Sequence, residues 1–398
     1  MFAVLCIVLV LAPGAVLLSF PLHLAWALRP RKRAPIGNHV TLASIIVPVA
    51  GPEEDLARSL DALLRQRASV ALEWIFCAED RGDPAVPLVL RAIALAPECN
   101  ARLVIAGPGP GLGKMRNLIA GVGAARGDVL VFVDSDVALT DDSFVQRIVA
   151  DAAEPGVGLV TCVPAYRGGR SVPAAMLASM INHDLAGYFA ILDTWTGLRS
   201  ANGACMAMRA ESLRAAGGLQ PLRDQLLMDT VLARRVAAGG GRVRMHEYAA
   251  PVARQRVRWS EWWSQVMRWQ TAMWHGLPRA QYAAFLWLRS GGIAAIVLVA
   301  LAPRGAHGLA WLALSCYMVA RVASAWALNA RCIRNPAFAA TLWLLPAAEC
   351  ANAVTALLAM GTRSVSWRGR RYRVLRSARA VEIAGSAGAV SDSKVATR

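Results

Sequence analysis

Val129-Leu-Val-Phe-Val-Asp134-Ser135-Asp136-Val137 runs an apolar stretch straight into two carboxylates. Bulky apolar residues with no polar alternation read as a strand buried on both faces, which belongs to a parallel sheet covered by helices. Alternate residues of an extended chain share a side, so Asp134 and Asp136 point the same way. Paired carboxylates there suit a hard divalent cation, Mg2+ or Mn2+, that in turn holds a diphosphate.

The surrounding residues repeat this architecture. Further strands are predicted at Leu42–Val49, Leu72–Cys77, Arg102–Ala106 and Val157–Cys162, with helices near Glu53–Arg67, Val86–Ala96 and Lys114–Ala125 between the first four strands. Such an alternating series over residues 40–255 implies an α/β domain whose ligands bind beyond the carboxyl ends of its strands. After the second strand, Glu79, Asp80 and Asp83 lie at that same edge. One of them fits a nucleoside partner, and Asp83 before Pro84 also fits a helix N-cap. Gly107–Met115 looks like a phosphate loop but lacks the glycine needed at Pro108 and the Ser or Thr needed at Met115. It still presents Lys114, the only lysine of the α/β domain, to an anion, with Asn117 one helical turn on.

Downstream, Asp229 stands at the head of an amphipathic helix, either as a first-turn residue favoured by the helix dipole or as a general base. Trp259–Trp274 carries five tryptophans in sixteen residues with arginines between them, which predicts an interfacial helix over residues 256–280. Q-x-x-R-W occurs there twice, as Gln255/Arg258/Trp259 and Gln265/Arg268/Trp269.

Composition bounds the rest. The chain has 398 residues, 56% hydrophobic and 17% charged, with a mean hydropathy of +0.41, which excludes disorder, coiled coil and collagen and implies membrane segments. Net charge is +17, and lysine appears only at positions 32, 114 and 394, so the basic side is arginine, suited to phosphates and anionic headgroups. No nucleic-acid-binding pattern accompanies those arginines, so nucleic acid is not an expected partner. Eight cysteines without C-x-x-C and six histidines without H-x-x-x-H argue against a disulfide framework or a zinc site.

Residues 1–28 predict a transmembrane anchor, because no charge occurs from Phe2 to Leu28. The Arg29–Arg33 cluster behind it places residue 29 onward on the cytoplasmic side, whereas a signal peptide carries its charge in front. Within 281–361, membrane segments are predicted at Gly291–Ala302, Leu309–Leu328 and Ala337–Met360, with Arg321 interrupting the second. The arginines of 362–383 should also lie inside, which requires an even number of crossings, so one of the three segments is expected to be re-entrant or interfacial. The tail 384–398 is small, polar and expected to be disordered.

Taken in order, Phe76–Val86, Lys114 with Asn117, Asp134, the strand at 156–162, His183, Gly203–Arg209, Gly217–Leu219, Asp229, Q-x-x-R-W and Ser366–Arg373 resemble the ceramide glucosyltransferase family. That family comprises membrane-bound inverting glycosyltransferases of GT-A fold, with bacterial and hopanoid-associated relatives, and the resemblance covers nearly the whole chain. It implies a GT-A domain with transmembrane helices, a UDP-sugar donor, a membrane lipid acceptor and a Mg2+ or Mn2+ cofactor. It assigns Asp83 to the nucleotide, Asp134 and Asp136 to metal and diphosphate, and Asp229 to the catalytic base, with Asp80, Lys114, Asn117, His183, Gln265, Arg268 and Trp269 as further binding residues. The second Q-x-x-R-W copy fits the family spacing better. Met228 stands where the family often has an acid, and Asp184 where animal members have proline, which bears on the acceptor more than on the reaction. The expected setting is a bacterial inner membrane, crossed more than once, with the catalytic domain facing the cytoplasm. The rival readings are a processive polysaccharide synthase, which needs more spanning helices, and an inactive nucleotide-sugar-binding membrane protein.

Overall fold

The computed structural model describes residues 19–30, 35–37, 39–51, 55–253, 256–289 and 291–383. Most of the expected N-terminal anchor, the whole expected tail and Gln255 of the first Q-x-x-R-W copy lie outside them. Residues 19–28 form helix α1, pinned to the α/β domain by Trp26 Nε1, which donates to Asp193 Oδ2 at 3.2 Å, and by the Arg29–Asp193 ion pair at 2.7 Å.

All five predicted strands are present. β1 (Leu42–Pro48), β2 (Ala71–Ala78), β3 (Asn100–Ile105) and β4 (Val129–Val133) are mutually parallel, joined by α2 (Leu56–Leu64), α3 (Ala85–Leu95) and α4 (Gly113–Ala124). β4 is buried along its full length, as an apolar run without alternation requires. α5 (Phe144–Ala153) leads to β5 (Val157–Cys162) and the short β6 (Pro164–Tyr166). α6 (Val172–Ser179) then passes through a π-helical turn, Met180–Leu185, into α7 (Ala186–Trp195).

β7 (Cys205–Arg209), which the strand reading did not anticipate, inserts antiparallel between β4 and β5. α8 (Ala210–Ala215), α9 (Met228–Ala238), β8 (Arg242–Met245) and β9 (Ala250–Val252) come next along the chain. The main sheet reads β3-β2-β1-β4-β7-β5-β8, and β6 and β9 form a separate parallel pair. Apolar clusters fill both faces of the main sheet.

Beyond the sheet, α10 (Trp259–Gly276), α11 (Arg279–Arg289), α12 (Gly291–Leu301), α13 (His307–Leu328), α14 (Phe338–Leu342) and α15 (Leu345–Gly361) form a helical layer. A three-stranded antiparallel sheet, β10 (Ser364–Trp367), β11 (Arg370–Val374) and β12 (Ala380–Glu382), closes the described chain. Among the described residues only Arg304–Ile333 is by itself long and apolar enough to cross a bilayer, with a mean hydropathy of 1.4. Arg279–Trp287 and Gly291–Leu301 meet that standard only together, across a 61° bend. The expected third segment, 337–360, is not one helix. It breaks between α14 and α15, where Pro346 occupies the first turn of α15. Proline has no N–H to continue a preceding helix and is accommodated where a new one begins.

Candidate active site

The antiparallel insertion of β7 builds the site. Its register sets Val133 opposite Cys205, so the Asp134 N–H donates to Ala204 O at 2.9 Å. One residue earlier, the Gly203 N–H donates to Asp229 Oδ2 at 2.8 Å, and the Thr230 N–H donates to Asp229 Oδ1 at 2.7 Å. The D-x-D strand and the head of α9 thus meet across two consecutive loop residues, Gly203 and Ala204, just before β7. A Cβ at Gly203 would stand 3.3 Å from Asp229 Oδ2, a tight contact, and 3.7 Å from Lys114 Nζ, an ordinary one, so glycine leaves this approach its room.

Lys114 enters from the first turn of α4 and places Nζ 2.5 Å from Asp134 Oδ1. Asn117, on the same helix, donates to Val49 O at 3.2 Å, while its buried Oδ1 has no partner. Asp83 ties two loops together, its Oδ1 accepting from Gly51 N and from Ala85 N, both at 2.8 Å. The second contact caps α3, so capping and a place at the sheet edge coexist in one residue.

From the helical side, Gln265 Nε2 donates to the Tyr166 hydroxyl at 3.3 Å, and the Arg268 guanidinium stacks 4.7 Å from the centre of the Trp367 ring. Asp83, Lys114, Asn117, Asp134, Asp136, Asp229, Gln265, Arg268 and Trp269 all line one cleft of ≈ 1430 Å³. Two residues from the same reading sit elsewhere. Asp80 is exposed and accepts the Gly82 N–H at 2.6 Å in a tight turn. His183 is buried outside the cleft lining, its Nε2 3.4 Å from Thr341 Oγ1 and its ring edge-on to Phe338.

Electrostatics distinguishes these groups. Burial raises the Asp229 pKa to about 6, with the Asp134 charge adding, while its two backbone donors and Lys114 pull the other way. Burial also lowers Arg268, to about 10, with nearby Arg368 adding and Asp134 and Asp136 opposing. Arg268 therefore keeps its charge at neutral pH. Arg370 reaches the cleft from β11 and pairs with Glu79 at 2.8 Å. Tyr166, Arg170 and Arg256 also line the cleft without any motif that marks them. Arg368 and Arg370 lie in the arginine-rich stretch after the last apolar segment and in the Ser366–Arg373 motif of the resemblance.

Among the described residues no group of three or more His, Cys, Asp or Glu side chains forms a metal cage. The donor set at the D-x-D nonetheless fits a divalent cation of the Mg2+ kind, which takes one or two carboxylates and completes its shell with water and phosphate oxygens.

The chain is similar to several known proteins. A ceramide glucosyltransferase of Candida albicans is 28% identical over 109 residues, 24% of this chain and 20% of that protein. The uncharacterized protein y4gI of Sinorhizobium fredii is 30% identical over 110 residues, 25% of this chain and 12% of that protein. The aligned part thus spans a fifth or less of either relative. The mannosyltransferase PcManGT of Pyrobaculum calidifontis, solved in complex with GDP-Man and Mn2+, superposes with a TM-score of 0.55 at 19% identity, over 90% of this chain and 99% of that one. At that identity the likeness concerns the fold alone. Residues 6–380 match the glycosyl transferase family 21 pattern. The converging carboxylates, the parallel-dominant sheet and this near-complete match lead to one conclusion: the chain belongs to glycosyl transferase family 21.

Proposed function

We propose that this glycosyltransferase moves a hexose from a UDP-sugar to the hydroxyl of a membrane lipid, ceramide-like or hopanoid-like, with inversion at the anomeric carbon. The observation that carries the reading is the meeting of Asp229, Lys114, Asp134 and Arg268 in one cleft, with the Asp229 pKa near 6. A carboxylate so tuned is ionised at neutral pH yet basic enough to take a proton from an alcohol as its oxygen bonds to carbon. The Asp229 oxygens are held by Gly203 N–H and Thr230 N–H, which fixes the direction of proton removal.

Each remaining residue has a physical task. Asp134 and Asp136 would hold a divalent cation, which when bound supplies charge stabilisation to the departing diphosphate. Arg268, desolvated and stacked on Trp367, presents a fixed positive charge to the same phosphates. Lys114 neutralises Asp134 and orients it. Asp83 and Asn117 take the nucleoside end, where the unpartnered Asn117 Oδ1 offers an acceptor. Asp229 removes the acceptor proton, the acceptor oxygen attacks the anomeric carbon, and the bond to UDP breaks on the opposite face.

Membrane attachment fits the tryptophans of α10. Trp259 and Trp263 are 55% and 46% exposed beside the cleft, a placement suited to headgroup depth. With Arg304–Ile333 as a span, a lipid acceptor would arrive laterally. The test is incubation of membranes containing the protein with a panel of UDP-sugars and lipid extracts, followed by mass spectrometry. Sugar-bearing lipid that disappears with chelator and with Asp229→Asn is the expected product. Sugar transfer undiminished in chelator, or product found only as polymer, would overturn the assignment.

A further inference from the structure

The cleft is larger than its donor requires. Pockets for small ligands measure roughly 300–1,000 Å³, and this one measures ≈ 1430 Å³. Besides its charged groups the cleft has apolar lining, with Met180, Phe189, Leu227, Met273 and Phe285 among the lining residues. Two amides belong to the same wall: Gln270 on α10 and Asn352 on α15, each 2% exposed.

The orientation of both amides is set by their neighbours. Asn352 donates through Nδ2 to Asp184 Oδ2 at 2.6 Å, because a carboxylate can only accept. Gln270 Nε2 lies 3.5 Å from the backbone carbonyl oxygen of Asn352, another acceptor. The opposite ends, Gln270 Oε1 and Asn352 Oδ1, are buried and have no hydrogen-bond partner. Buried acceptors in native proteins are nearly always paired. Two neighbouring exceptions in one wall of a cleft mark a place where a ligand brings the donor.

We infer that Gln270 and Asn352 form a specificity site for the acceptor. The apolar lining takes hydrocarbon, and the two amide oxygens accept hydrogen bonds from an N–H or O–H that the lipid carries beside the hydroxyl receiving sugar. A lipid with a secondary amide or second hydroxyl satisfies them. One with ester oxygens alone leaves them unpaired and is disfavoured. This rests on the lipid-acceptor reading and adds the feature by which the lipid is chosen.

The experiment uses the full chain in nanodiscs with two acceptors of matched chain length, a ceramide and a diacylglycerol, both with a primary hydroxyl. Wild type should favour the ceramide in kcat/KM by ~10-fold or more. Gln270→Met, which keeps length and removes the acceptor, should bring the ratio to about 3 or less by lowering the ceramide value, with UDP affinity unchanged. A ratio unaltered in Gln270→Met overturns the inference, and so does a wild type that glycosylates both lipids equally, a result that needs no variant to fold. Glycosylation of neither lipid with UDP binding intact overturns the lipid-acceptor reading and this inference together.

Discussion

The sheet edge and the helical layer treat buried charge in opposite ways. At the sheet edge Asp229 is held by two backbone N–H groups and Asp134 by Lys114, and all three side chains face a cleft. In the helical layer Glu349 receives the Tyr317 hydroxyl at 2.6 Å, Gly292 N at 2.8 Å and Arg321 Nε at 3.0 Å. Asp184 there accepts from Arg321 and from Asn352. Arg321, Asp184, Glu349 and Tyr317 are each at least nine-tenths buried and away from the cleft lining. The same residue types thus either wait for a substrate or lock α13 and α15 to the π-helical turn. What decides is whether protein atoms or the cleft complete their hydrogen bonds.

That contrast breaks most sharply at Asp229. Asp229→Asn should lower sugar transfer by ~10²–10⁴-fold, the usual worth of a positioned base. UDP binding by calorimetry should stay within about threefold, since the variant leaves the phosphate-binding groups in place. Arg321→Met should do the reverse. Removing the cation strands two buried carboxylates at a cost of ~3–5 kcal/mol, read as a lower unfolding midpoint, while UDP affinity of the folded protein is unchanged.

A smaller effect comes from pH. Because the Asp229 pKa is about 6 in the fold against an ordinary 3.8, the turnover rate should rise about tenfold per pH unit up to pH 6 and then level off. Stability carries the opposite sign. The unfolded chain loses this proton first, so the stability contribution of Asp229 is greatest below pH 4 and falls as pH rises from 4 to 6. Asp229→Asn should therefore match or exceed wild type in thermal midpoint at pH 7, an advantage that vanishes near pH 4. Smallest is Trp263→Ala, expected to weaken vesicle binding by ~3–10-fold in a sedimentation assay and to leave UDP affinity intact.

Much of the cleft's sheet-edge side was legible because its signals are local. An apolar run such as Val129–Val133 reports a doubly covered strand from five residues, and two carboxylates immediately after it must stand at the sheet edge. Lys114 was legible for the same reason, being the first polar group after the predicted strand Arg102–Ala106, and Asp83 from its place before Pro84 in the acidic stretch after Leu72–Cys77. His183 and Asp80 show the limit of that logic. Both belong to the ordered set of resemblances, yet one packs against Phe338 and the other closes a turn, because neighbours distant in sequence decide which way a side chain faces.

The chain alone determined the alternation of strands and helices, the acids at the strand ends and the apolar character of the C-terminal third, since these depend on spacing over a few residues. Only the tertiary structure decided that β7 runs antiparallel beside β4 and carries Gly203 to Asp229. It also decided that Arg321 is neutralised by partners 137 and 28 residues away, and that Gln270 and Asn352, 82 residues apart, share a wall. Those pairings depend on contacts between elements far apart in sequence, and no periodicity along the chain records which elements will touch.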